Sequence, residues 1–145
     1  MALKLTKQEI MKEIVRCGKK PGYFINTYAK ITHPMKGLIP FKLYDFQNQL
    51  LEEFEDHRFN VILKGRQLGI STITAAYVAW MMLFRREKNV LVIATKFNTA
   101  ANLVKKVKAI IKHLPQWLKI ATVDIDNRTS FVLSNGSQIK ASSTS

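Results

Sequence analysis

Apolar residues at Ile10, Met11, Ile14 and Val15 recur at helical spacing behind Thr6 and Glu9, and the pattern predicts a short amphipathic helix ended by Gly18 and Pro21. A second helix is predicted over Asp45–Asp56, with Phe46, Leu50, Leu51 and Phe54 on one side and Glu52, Glu53, Glu55 and Asp56 clustered at its end. Between them, residues 22–43 carry aromatics among turn residues (His33, Pro34, Gly37, Pro40) and read as an ordered, packed connector. A short apolar run at 61–63 then meets a glycine-containing loop, and Ser71 opens a helix that reaches about Arg86. The order repeats with a strand at 90–95 and a helix from Asn98 or Thr99 to His113, stopped by Pro115. Residues 120–125, then 129–133 and 138–142 around Asn135 and Gly136, predict a closing strand and hairpin. Strands alternating with helices predict an α/β fold, a mostly parallel sheet flanked by helices on both faces.

Composition adds a core and a partner class. The 145 residues are 47% hydrophobic, enough for one domain with a sizeable interior. Twenty-three Lys and Arg against 10 Asp and Glu give a formal charge of +13, which favours a polyanionic partner. Cys17 is the single cysteine, so an intrachain disulfide and a cysteine-based zinc site are excluded within this sequence, and a reducing intracellular setting fits. His33, His57 and His113 lack the spacing of a histidine metal site. Charges interrupt the N-terminal apolar residues, unlike a signal peptide. Residues 67–84 are uncharged, but polar or helix-weakening residues fill their first half, and the apolar remainder is too short to cross a bilayer. A buried helix of an α/β core is expected there, and no membrane partner.

The chemistry concentrates in VILKGRQLGIST, residues 61–72. Laid on the P-loop pattern (Gly, four residues, Gly, Lys, Ser or Thr), the slots fall on Lys64, Gly69, Ile70 and Ser71, of which two match. Gly69 lets the backbone approach a phosphate, Ser71 offers a magnesium ligand, and the following helix N-terminus offers N–H groups to an anion. Ile70 cannot replace the lysine, but Lys64 at the loop entrance, with Gly65 beside it, can fold over the same phosphates. Arg66 adds a second cation suited to a γ-phosphate. An ordinary strand-to-helix turn with surface cations fits the same residues. Upstream, Tyr44, Phe46 and Gln47, the last seventeen residues before Lys64, offer an aromatic surface and a bidentate amide for adenine.

With these motifs in view the chain resembles the large terminase subunit of tailed bacteriophages, the DNA-packaging ATPase, and its T4-like branch most. The resemblance runs through YFINTYAKITHPMKGLIPFKLYDFQ, KGRQLGIST, VLVIATKFNTAANLV and FVLSNGSQIKASSTS, nearly everything after residue 20. It implies a P-loop NTPase fold of the RecA/helicase-like kind, incomplete at the C-terminus, with residues 1–40 as N-terminal helix and connector and 41–145 as the first part of the ATPase domain. It implies ATP and Mg as cofactors, adenine on Gln47 with Tyr44 beside it, and a deviant Walker A loop comprising Lys64, Gly65, Arg66, Gln67, Leu68, Gly69, Ile70, Ser71 and Thr72. Lys64 and Arg66 would be its catalytic cations and Ser71 its Mg ligand. Thr95 and the helix from Asn98 resemble the family's helicase-like coupling segment. The implied partners are double-stranded DNA, the portal protein and the small terminase subunit, in a ring oligomer acting at the procapsid in the host cytoplasm.

The Asp-Glu pair that ATP hydrolysis requires at the end of an apolar strand is missing. Asp124 and Asp126 are separated by Ile125 and precede the Asn135-Gly136 turn, so they read as surface residues. The expectation is therefore the front part of a longer protein, one that binds nucleotide but neither turns it over nor cuts DNA unaided, with an open sheet edge and marginal stability. Lys105, Lys106, Lys108 and Lys112 lie outward on one helix and, with Lys96 and the cluster Lys12, Arg16, Lys19 and Lys20, form a candidate stripe for DNA phosphates. Two alternatives remain: another helicase-like P-loop ATPase, and a non-enzymatic basic nucleic-acid-binding module.

Overall fold

The least charged stretch of the sequence forms the helix on which the others assemble. The computed structural model describes residues 4–63 and 69–144. Helix α4 (Ile70–Phe84) buries Ile73, Ala75, Ala76, Val78, Ala79, Trp80, Met82 and Leu83, so it is enclosed on most sides, as an all-round apolar helix must be. Among the described residues no helix is long and apolar enough to cross a membrane. Around α4 pack α2 (Pro21–Tyr28), α3 (Asp45–Asp56) and α5 (Phe97–Lys112), while α1 (Lys7–Lys19) packs on α2.

α1 begins with the expected reciprocal cap: Glu9 N–H donates to Thr6 Oγ1 (3.2 Å) and Thr6 N–H to Glu9 Oε2 (2.7 Å). It runs through Gly18, which Phe84 covers, and α2 starts directly at Pro21. Proline there opens a helix, because at the first position its missing N–H is not needed. Glu13 ties the two helices together by accepting from the hydroxyls of Tyr23 (2.8 Å) and Tyr28. Trp80 of α4 donates Nε1–H to the Cys17 carbonyl at 2.8 Å, joining α1 to the central helix.

The connector contains an antiparallel hairpin, β1 (Lys30–His33) with β2 (Gly37–Pro40), that the sequence pattern does not announce. His33 Nδ1 holds its turn by accepting from the N–H groups of Met35 and Lys36, both at 3.1 Å. The main sheet has the order β3-β6-β5-β4, built from β3 (Asn89–Ala94), β4 (Val123–Asp126), β5 (Ser130–Leu133) and β6 (Gln138–Ser143). Two expectations are corrected here. The sheet is mixed and mostly antiparallel, with β3 and β6 its one parallel pair, because β4, β5 and β6 follow one another through short turns that reverse the chain. It is also covered by α5 on one face only: Val90 and Val92 pack inward with Ile139, whereas Leu91 and Ile93 lie exposed on the other face.

The expected strand at 61–63 does not form. These residues are irregular, with Val61 and Leu63 fully exposed, since an apolar run becomes a strand only where another strand accepts its hydrogen bonds. The second hairpin forms as expected and closes α4. Asn135 Nδ2 donates to the Met82 carbonyl (2.8 Å) and Ser137 Oγ to the Arg85 carbonyl (3.0 Å), partners that the helix end otherwise lacks. Gly136 sits at φ +86, and a Cβ there would stand 2.9 Å from Glu87 Cγ, so glycine is required at this turn.

Candidate nucleotide site

Two helix beginnings meet at the residues singled out above. Tyr44 is the N-cap of α3, and Gln47, three residues on, folds its Oε1 back to accept the Tyr44 N–H at 3.0 Å. Asn26 Oδ1 fixes the preceding residue by accepting the Leu43 N–H at 2.9 Å. Gln47 is thereby drawn inward and is only 2% exposed, one of two buried polar residues among those described. Its amide faces α4: a Cβ added to Gly69 would lie 2.9 Å from Gln47 Nε2.

Gly69 is the N-cap of α4 in the left-handed conformation, φ 69 and ψ 19, which only glycine adopts without strain. Having no side chain, it gives α4 no side-chain cap, and among the described residues no acceptor is placed on the N–H groups of the first turn, the positive end of the helix. Ser71 is exposed on that turn and Thr72 is half-buried, while Thr74 turns its hydroxyl back to the Ile70 carbonyl at 2.7 Å.

The expected residues thus divide. Gln47, Gly69, Ile70, Ser71 and Thr72 lie where α3 and α4 begin. Lys64, Gly65, Arg66, Gln67 and Leu68 lie outside the described residues. Tyr44 and Phe46 are not core residues: they are 69% and 42% exposed and stack on each other, ring centroids 5.9 Å apart and planes within 8°. Gln47 has a structural duty as the α3 cap, which the spacing Tyr44 to Gln47 signals only weakly because tyrosine is not an ordinary capping residue.

The acidic residues are placed elsewhere. Asp124 and Asp126 are exposed on β4, and Asp126 pairs with Lys108 Nζ at 2.8 Å. Among the described residues no group of three or more His, Cys, Asp or Glu is arranged to hold a metal ion. A groove of about 530 Å³ between α1, α2 and α3 is lined by Lys19 and Lys20 together with Glu52, Glu55 and Asp56, a mixed charge that does not suit a phosphate.

A helix N-terminus opened by a left-handed glycine and backed by a buried glutamine belongs to a mixed α/β protein whose relatives are recognisable. Residues 61–145, more than half of the chain, match the family described as terminase large subunit, T4likevirus-type, N-terminal. The chain belongs to this family. Its fold is similar to the crystal structure of the HK97 bacteriophage large terminase, with a TM-score of 0.67 at 16% identity over 87% of this chain. The chain spans 27% of the length of that protein.

Proposed function

We propose that this chain carries the nucleotide-binding front of a packaging ATPase, a P-loop NTPase domain whose ATP hydrolysis in the whole protein moves double-stranded DNA into a procapsid. The observation that supports it best is the contact of Gln47 with Gly69. It brings the adenine-reading amide of the proposal to the foot of a helix whose first-turn N–H groups are left for phosphate. Tyr44, exposed beside Gln47, would offer its ring to the base.

In this reading Lys64 and Arg66 would neutralise the β- and γ-phosphates. Ser71 would hold Mg through its exposed hydroxyl, a hard oxygen donor on the first turn of α4, as the ion's chemistry requires. Mg, when bound, supplies positive charge that stabilises the phosphates. Residues of this chain would provide the binding half of the reaction. Orientation of the attacking water is assigned to a carboxylate of the whole protein, as are the contacts with portal and small subunit, the ring assembly and the site of action in the host cytoplasm.

The test is a titration of a fluorescent ATP analogue with Mg into the protein and into Lys64→Ala. Saturable binding that the substitution abolishes, with an unchanged melting temperature, is the expected result. Equal binding by both proteins would remove Lys64 from the site, and no binding by either would favour the basic nucleic-acid-binding module.

A further inference from the structure

The fold sorts the +13 charge unevenly, and one surface receives cations without any acid. All ten acidic residues lie on α1, on α3, in the turn after α4, or on β4. None lies on β1, α4 or α5. The outer face of α5 therefore presents Asn102, Lys105, Lys106, Lys112 and His113, all exposed, with Ala109 between them. Lys30 of β1 extends this face: one groove of about 180 Å³ is lined by Lys30 and Lys106 with Thr32 and Thr72. A second, of about 460 Å³, runs from Lys105 and Lys106 past Thr99 and Asn102 to Ser71 on the first turn of α4. Among the described residues Lys30, Lys105, Lys106 and Lys112 have no ion-pair partner, and Lys112 marks the edge of the face, where it lines a groove with Asp126.

Most other cations of the expected stripe are engaged or stand beside acids, Lys12 and Lys96 being the exceptions. Lys108 is engaged by Asp126 at 2.8 Å and by the Asn127 carbonyl, at the edge of the face. Lys19 and Lys20 share their groove with Glu52, Glu55 and Asp56. Arg16 lies over the Tyr23 ring, 3.9 Å from its centroid. Lys105 and Lys106 are thus neighbours on one helix face, with no acid in either groove that they line.

We infer that the acid-free face of α5 and β1, centred on Lys106, is the surface that grips the phosphate backbone of duplex DNA. The inference rests on the reading that the protein works on DNA and assigns that work to named residues. Double-helical DNA suits the face better than other polyanions do. It offers no aromatic side chain on which the bases of a single strand could stack. Its apolar content is Ala109 with the half-buried Leu103 and Ile31 in its grooves, none of them exposed enough to enter a lipid surface. Lys105 and Lys112 stand roughly 10 Å apart along the helix axis, against one charge per ~3.4 Å of axis on each DNA strand, so the face spans about three phosphates. Asn102 and Thr99 add neutral donors of the kind that fix register on a backbone. Lys106 also lines the groove reaching Ser71, so the DNA face and the proposed nucleotide helix share a wall.

The test compares two triple variants of equal charge loss, Lys105→Gln/Lys106→Gln/Lys112→Gln and Lys12→Gln/Lys19→Gln/Lys20→Gln. Fluorescence anisotropy with a labelled 30-base-pair duplex is recorded from 50 to 200 mM salt, and thermal melts check folding. The α5 triple is expected to weaken binding at least tenfold at 50 mM salt and to reduce the slope of log affinity against log salt by about two to three. The α1 triple should change that slope by less than one. Asp126→Asn, which releases Lys108, should tighten duplex binding severalfold. Equal losses in the two triples, or preference for a single strand of the same length, would overturn the assignment of the face while leaving DNA as the partner. Failure of the parent protein to bind duplex at all would overturn the underlying reading as well. Titration of the ATP analogue into the same variants should give unchanged affinity.

Discussion

Gln47 and Gly69 hold each other in place: the amide capping α3 occupies the space that any side chain at the N-cap of α4 would need. The contact couples the start of one helix to the start of the next, and it explains glycine at a position whose backbone is left-handed as well as crowded. Displacement of Gln47 removes the support against which the first turn of α4 is set.

Gly69→Ala therefore meets two penalties. The left-handed backbone alone costs a non-glycine residue about 1–2 kcal/mol, and the new methyl must push Gln47 aside. Thermal denaturation should show a lower Tm, and nucleotide affinity should fall more than stability does. A variant as stable as the parent would contradict the left-handed geometry.

Gln47→Ala removes the acceptor of the Tyr44 N–H and empties a buried position. A loss of about 1 kcal/mol is expected from the cap alone. Urea unfolding checks it, and an unchanged midpoint would mean that the cap contributes nothing.

Glu13 makes the α1–α2 junction sensitive to acid. The Tyr28 hydroxyl above all, then Tyr23 and the neighbouring Arg16, hold its carboxyl below the ordinary value of 4.5, against an opposing effect of burial. A carboxylate whose folded-state pKa is depressed contributes its full stabilisation above the unfolded value and loses it as pH falls through the folded value. The melting temperature should accordingly drop on acidification below about pH 4.5, and Glu13→Gln should be less stable at neutral pH with a flatter profile in that window. Parallel profiles for the two proteins would exclude Glu13 as the source.

Cys17 should be inert in the folded protein. Burial pushes its thiol up to about 12, so almost no thiolate exists at pH 8, and no surface reaches it. Iodoacetamide followed by mass measurement should give no adduct under native conditions and one adduct in guanidinium chloride. Rapid native labelling would show that α1 opens away from α4.

Local rules made much of this molecule readable. The Thr6–Glu9 cap, the bounds of α3, the buried character of α4 and the hairpin around Asn135-Gly136 rest on contacts within a few residues or on one strong apolar run, and they occur where the pattern puts them. α2 was concealed because Pro21 reads equally as the end of one helix and the opening of another, and the β1–β2 hairpin because its four-residue strands are too short for alternation to register.

The sequence by itself determined helices α1, α3, α4 and α5, the turn at Asn135-Gly136, the family resemblance and the surplus of positive charge, since propensity, capping and composition act residue by residue. Only the tertiary structure decided which strands pair and in which direction, that residues 61–63 have no strand partner among the described residues, that Gln47 stands against Gly69, and that Asp126 meets α5 at Lys108. Hydrogen-bond partners, buried polar contacts and electric potential each depend on residues far apart in the chain, and their meeting is fixed by packing rather than by any local preference.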